Sequence, residues 1–219
     1  MSGSKPRLAW LAYLLVGLIQ VTALALNIRE VSVPAQIVLM PTLALAALTA
    51  PRGRLRTWTL VALFFSFLGD MLPQVVAESW KLPLMLGSFF LAHVAWVTGF
   101  WGVRKESALW RRPWTVLPYL AIGVAMVVWC WPGAGVLAPA VALYALALLS
   151  TATLATALGR AGWFGGALFI LSDGLIAARS FAGFGLPQQD VVVMATYILA
   201  HGLLVLGMIR FLQARRSRI

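Results

Sequence analysis

Long runs of apolar residues, each bounded by polar or charged clusters, recur along the whole chain. Eight qualify as spans: Leu8–Leu26, Ala35–Ala50, Trp58–Ala77, Leu82–Val103, Trp114–Trp131, Val136–Leu158, Trp163–Phe181 and Val191–Leu212. A hydrocarbon core about 30 Å thick is crossed by about 20 apolar residues in helical form. The pattern therefore predicts an all-α, polytopic membrane protein with eight transmembrane helices. The second run is short and contains Pro41, which removes a helical hydrogen bond and predicts a kink or tilt. Arg52-Gly53-Arg54 and Pro132-Gly133-Ala134-Gly135 supply turn chemistry between runs. Trp58, Trp80, Trp110, Trp114, Trp131 and Trp163 fall near run ends, where an indole meets both lipid and water.

Composition agrees with the pattern. Of 219 residues, 62% are hydrophobic and 11% charged, against about 25% charged in a soluble domain. Too few polar side chains exist to cover a wet surface, so residues 1–219 are read as one integral membrane domain with lipid as its solvent. The first run follows Lys5 and Arg7 and is too long for the apolar core of a signal peptide, so it is read as a retained first helix.

The net charge of +11 invites a nucleic-acid reading, which its distribution rejects. The basic residues sit in short clusters between apolar runs, and no helix carries a basic face. Fourteen of them, from Lys5 and Arg7 through Arg52, Arg54 and Arg56 to Arg215, Arg216 and Arg218, fall on one side of the predicted bundle, against Arg29, Lys81 and Arg179 on the other. The positive-inside rule puts the richer side, with both termini, in the cytoplasm. An odd number of helices would break this alternation. Abundant Ala, Arg, Leu and Trp suggest a bacterial inner membrane. The single cysteine, Cys130, excludes a disulfide framework and a cysteine zinc site.

A weak internal repeat follows. The third run contains Leu63-Phe64-Phe65-Ser66-Phe67-Leu68-Gly69-Asp70 and the seventh Leu168-Phe169-Ile170-Leu171-Ser172-Asp173-Gly174. Leu91-Ala92-His93 in the fourth matches Leu199-Ala200-His201 in the eighth. Each half thus offers an Asp helix and then a His helix. Four helices per half give both halves one orientation, a parallel 4+4 repeat about an axis along the membrane normal.

Asp70 and Asp173 are the acidic residues inside spans, and both histidines of the chain lie inside spans too. A carboxylate at membrane depth costs at least about 2.5–3.5 kcal/mol on the insertion scale and calls for a reason. Asp70 lies 14 residues beyond Arg56 and Asp173 lies 13 beyond Arg160. At about 1.5 Å per residue both are roughly 20 Å from the cytoplasmic boundary. His93 and His201 enter from the other side, and the four side chains are expected to face one polar pocket. Ser66 stands one helical turn before Asp70 and can donate to it. Ser172, adjacent to Asp173, points elsewhere. Tyr144 and Tyr197 can add hydroxyls, and Tyr197 shares a helix face with His201.

The structural alternative is that such groups hydrogen-bond helices together without chemistry. A metal site is not expected, because there is no His-x-x-x-His pair and no third histidine. No Gly-x-Ser-x-Gly elbow occurs for a serine hydrolase.

At these residues the sequence resembles the YhhN-like lysoplasmalogenase family of eight-helix membrane proteins. The resemblance is carried by Phe65-Ser66-Phe67-Leu68-Gly69-Asp70, by Gly87-Ser88-Phe89-Phe90-Leu91-Ala92-His93 and by Gly166-Ala167-Leu168-Phe169-Ile170-Leu171-Ser172-Asp173. A fourth segment, Tyr197-Ile198-Leu199-Ala200-His201, departs from the family pattern, which usually has Gln where His201 stands; either side chain hydrogen-bonds but only His titrates.

The resemblance implies hydrolysis of the vinyl ether bond of a lysoplasmalogen, with a membrane lipid as substrate, no cofactor and no obligate protein partner. The carboxylates suit that chemistry as glycosidase pairs suit theirs, one as acid and one as carboxylate. Asp70 and Asp173 are the expected pair, with His93, His201, Ser66, Ser172, Tyr144 and Tyr197 in support. Two other functions remain consistent with the same residues: a small-molecule or proton-coupled transporter, and a non-catalytic lipid-binding protein.

Overall fold

The computed structural model describes residues 4–217, with side chains from residue 6 onward. Of the basic residues expected on the cytoplasmic side, the Lys5 side chain and Arg218 lie outside the described residues. Among the described residues there is helix and no strand.

Eight helices are long: α1 (Ser4–Ala25), α2 (Arg29–Ala47), α3 (Arg54–Val75), α4 (Glu78–Trp101), α6 (Leu117–Ala134), α7 (Ala138–Ala155), α8 (Arg160–Ala182) and α9 (Gln189–Arg216). A single-turn helix, α5 (Ala108–Arg111), sits between short 3-10 turns in the connector from α4 to α6. Seven helical stretches are long and apolar enough to cross a membrane. One of these, 113–158, has 46 residues, about 69 Å at helical rise and more than twice a hydrocarbon core. It folds back at Gly135, whose φ of 51° is a left-handed conformation that favours glycine, so α6 and α7 form an antiparallel hairpin and pack on each other.

Lipid as solvent is visible on α1. Leu8, Leu11, Leu14, Leu15 and Leu18 are each more than half exposed, an apolar face that water would not tolerate at this extent. The chain is a multi-pass membrane protein.

The second helix begins earlier than the apolar pattern marks. Arg29 and Glu30 form its first turn, so it reaches 19 residues and holds both Pro34 and Pro41. The Pro132-Gly133-Ala134 stretch is helical rather than a turn. Gly133 is required there because a Cβ would run into the Phe181 carbonyl at the end of α8.

The chain packs as two compact units. One runs to Gly102 and takes in the end of α9 from Val205; the other is Val103–Leu204. Within the first, α1 packs on α2, α2 on α3, and α3 on α4. The α3–α4 approach is close: a Cβ on Gly69 would lie 2.7 Å from the Phe89 ring, and one on Gly99 3.0 Å from the Trp58 Cβ. Within the second unit, α8 packs on both α6 and α7. A Cβ on Gly166 would lie 2.9 Å from the Ala152 Cα, so α7 and α8 meet backbone to backbone. The Thr156 hydroxyl accepts from the Ala108 amide at 2.8 Å and ties the α4–α6 connector to the end of α7.

Candidate functional site

Asp70 lies on the buried stripe of α3 that runs Thr59, Ala62, Leu63, Ser66, Gly69, Asp70. The spacing is that of one helix face, so packing against neighbours turns Ser66 and Asp70 the same way. The Asp70 side chain is 2% exposed. Gln36 on α2 donates its amide Nε2 to Asp70 Oδ1 at 3.1 Å. An amide nitrogen only donates, so this contact orients the Gln36 side chain. Pro73, three residues on, lacks the amide that would bond the Gly69 carbonyl, so the helix loses a hydrogen bond beside the carboxylate.

His93 lies on the buried stripe of α4 with Phe89, Trp96 and Phe100. The antiparallel register follows from Gly69 against Phe89 and Gly99 against Trp58. It puts Ser88, also buried, at the level of Asp70, and His93 at the level of Phe65 and Ser66, about one turn before the carboxylate on α3. His93 is 1% exposed. Trp96 and Phe100 stack below it with ring centroids 5.3 Å apart.

In the second unit Asp173 lies on the buried stripe of α8, with Gly165, Gly166, Phe169 and Ser172. It is 8% exposed and accepts the Tyr144 hydroxyl from α7 at 2.7 Å. The absence of side chains at Gly165 and Gly166 lets α9 and α7 approach α8 closely, and the α7 approach brings the phenol within reach. Ser172 turns away from the carboxylate and donates to the Val193 carbonyl of α9 at 3.3 Å.

His201 is fully buried. Its ring lies 4.6 Å from that of Phe169 and 4.3 Å from that of Tyr197, centroid to centroid. Its Nδ1 is 3.2 Å from the Tyr197 carbonyl, one turn back on the same helix. A carbonyl only accepts, so Nδ1 carries the proton, and in the neutral ring Nε2 is the acceptor. Among the described residues no group of three or more His, Cys, Asp and Glu is placed to hold a metal ion.

Of the residues expected from sequence, the first unit holds Asp70, Ser66 and His93, and the second holds Asp173, Tyr144, Ser172, Tyr197 and His201. The structure joins Tyr144 to Asp173 and Tyr197 to His201, and it assigns Ser172 to the α8–α9 contact. Sequence reasoning missed Gln36. Its signal was an amide inside an apolar run, a weaker mark than a carboxylate. It also missed Phe169, which anchors the aromatic contacts of His201.

A family model described as the YhhN family matches residues 31–208. Lysoplasmalogenases of Mycobacterium bovis and Mycobacterium tuberculosis are each 30% identical to this chain over 171 residues. The match spans 75% of this chain and 65% of the length of those relatives. No solved structure matches the chain.

Proposed function

Since this chain belongs to the YhhN family, we propose that it is a membrane-embedded hydrolase that cleaves the vinyl ether bond of lysoplasmalogens to a fatty aldehyde and a glycerophospho-alcohol. Its 30% identity to two mycobacterial lysoplasmalogenases supports the reaction class. The observation that carries the residue assignment is Asp173, buried in an apolar helix and held by the Tyr144 hydroxyl at 2.7 Å. Asp70, also buried and held by Gln36, supplies the second carboxyl group.

The chemistry begins with proton transfer from one carboxylic acid to the outer alkene carbon of the vinyl ether. This leaves an oxocarbenium ion, which the other side chain, as a carboxylate, steadies. Water adds to the cation and gives up a proton to that carboxylate, forming a hemiacetal. In the collapse of the hemiacetal the newly protonated carboxyl gives its proton to the departing glycerol oxygen while the first, now a carboxylate, takes the hemiacetal hydroxyl proton, which releases the aldehyde, restores both groups and makes the sum of the steps the addition of one water. Asp70 and Asp173 are the pair, one in each role. His93 hydrogen-bonds the pair or positions water, with His201, Ser66, Tyr144 and Tyr197 in support, while Ser172 serves the α8–α9 contact through the Val193 carbonyl. The substrate is a membrane lipid, and no cofactor takes part. The protein lies in a bacterial inner membrane with both termini in the cytoplasm.

The test is incubation of the purified protein with vinyl-ether, alkyl-ether and ester lyso-lipids, with mass analysis of the products. Aldehyde release from the vinyl ether alone is the expected result. Transport of lyso-lipid across sealed vesicles with no aldehyde formed in detergent would replace the hydrolase by a carrier.

A further inference from the structure

A cleft of about 470 Å³ opens in the first unit between the α2–α3 turn and the end of α9. Its size falls within the roughly 300–1,000 Å³ of small-molecule sites. Arg52, Arg56 and Arg216 line it, together with Gln213, Thr49 and Ser217. None of the acidic residues of the chain, Glu30, Asp70, Glu78, Glu106, Asp173 and Asp190, lines it. Among the described residues, three guanidinium groups therefore share a concave surface that no Asp or Glu lines.

The lining is also braced. Arg56 donates Nη1 to the Ala50 carbonyl at 2.8 Å, which fixes its guanidinium against the turn. The Thr49 hydroxyl donates to the Ala46 carbonyl at 2.7 Å and the Ser217 hydroxyl to the Ala214 carbonyl at 3.0 Å. Donors toward an occupant therefore come from the arginines and the Gln213 amide. Positive-inside topology needs only charge near the helix ends. It does not require arginines 160 residues apart in sequence, 56 and 216, to converge on one cleft.

We propose that this cleft is a binding site for a phosphate group, carried by an anionic membrane phospholipid or by a soluble phosphate ester. The guanidinium fork matches two phosphate oxygens at once, and a set of three with no Asp or Glu in the lining selects a dianion or a monoanionic headgroup over a zwitterion. The site is distinct from the proposed hydrolytic one. Arg56 and Asp70 are 14 residues apart on α3, about 21 Å along the helix axis. In a lysoplasmalogen the ether oxygen and the phosphorus are separated by five bonds, about 6 Å at single-bond lengths. One substrate molecule therefore does not reach both places, and the cleft binds a second molecule.

The experiment uses the full chain purified in a neutral detergent. Phosphatidylglycerol and phosphatidylcholine are added in one arm, with retained lipid counted by native mass spectrometry. Inorganic phosphate and glycerol 3-phosphate are added in the other, with thermal unfolding as the readout. The wild type is expected to retain phosphatidylglycerol over phosphatidylcholine. Each of R52Q and R216Q weakens retention about five-fold, and the double variant about 25-fold.

R111Q/R112Q, which removes the same charge outside the cleft, keeps wild-type retention. R56K tests the braced fork, and its loss of preference with unfolding unchanged in phosphatidylcholine supports the site. Stabilisation by glycerol 3-phosphate or phosphate, lost in R52Q/R216Q, identifies a soluble occupant; selective lipid retention alone identifies a headgroup. Equal retention in the wild type and R52Q/R216Q with no phosphate effect overturns the site. So does an equal loss in R111Q/R112Q, which would reduce the attraction to bulk charge.

Discussion

The Tyr144 hydroxyl donates to the Asp173 carboxylate at 2.7 Å, and it does so from α7, the helix immediately before the one that bears the acid. In the first unit Gln36 on α2 does the same for Asp70 on α3 at 3.1 Å. In each unit the donor comes from the helix immediately before the one that bears the acid, an amide in the first and a phenol in the second. Both donors are uncharged and steady a carboxyl group without placing a fixed cation against it.

Replacement of Tyr144 by Phe removes that donor and little volume. A hydrogen bond to a charged group is worth about 1.5–3 kcal/mol, so if the bond is strongest in the transition state kcat falls by about 10- to 150-fold. Aldehyde release from a vinyl-ether lyso-lipid by Y144F measures it. A loss confined to KM would make Tyr144 a binding group instead.

Asp70→Asn and Asp173→Asn keep shape and hydrogen-bonding capacity but lose proton transfer. General acid–base catalysis contributes about 10²–10⁴-fold, so each variant is expected to lose at least about 10²-fold in turnover while eluting as a monodisperse, folded protein. Full activity in either removes the proposed acid–base pair.

Gln36 was not legible in the sequence, for a physical reason. A neutral amide inside an apolar run costs far less than a carboxylate, so it does not stand out, and its partner is 34 residues away. The carboxylates stood out because lipid penalises them, and the spans stood out because bilayer thickness sets their length. Turn chemistry misled at Pro132 and Gly133, where close packing against Phe181 accounts for the glycine and the chain turns only at Gly135. Gln36→Leu is expected to reduce turnover less than Asp70→Asn, and Gln36→Glu, which sets a second carboxyl beside Asp70, to reduce it more than Gln36→Leu does. Steady-state rates of the three variants check that order.

Gly166→Ala puts a methyl group 2.9 Å from the Ala152 Cα and 3.0 Å from its carbonyl oxygen. Backbone cannot rotate aside as a side chain can, so α7 and α8 must separate, at about 1–3 kcal/mol. The same movement stretches the Tyr144–Asp173 hydrogen bond. Gly87→Ala is the control, since nothing lies within 4 Å of its Cβ position and alanine favours helix by about 0.5–1 kcal/mol. Thermal inactivation in detergent is expected to come earlier in G166A and no earlier in G87A.

Two neighbours at the start of α9 predict opposite outcomes. Asp190 pairs with Arg179 at 2.7 Å, but the side chains are 67% and 46% exposed. Water and salt screen such a pair to about 1 kcal/mol or less, so Asp190→Asn leaves thermal stability nearly unchanged. Gln189 is 2% exposed. Its Nε2 donates to the Leu175 carbonyl at 2.6 Å and its Oε1 accepts from the Leu186 amide at 3.0 Å, which clamps the turn between α8 and α9. Gln189→Leu removes both bonds while filling similar space, so about 2 kcal/mol is lost and the unfolding midpoint drops by on the order of 5 °C. The drop should be independent of salt, whereas any effect of Asp190→Asn should vanish at high ionic strength. Comparing the two midpoints in low and high salt separates a buried clamp from an exposed ion pair. A larger loss in Asp190→Asn than in Gln189→Leu would mean that the charge pair, and not the amide, holds this turn.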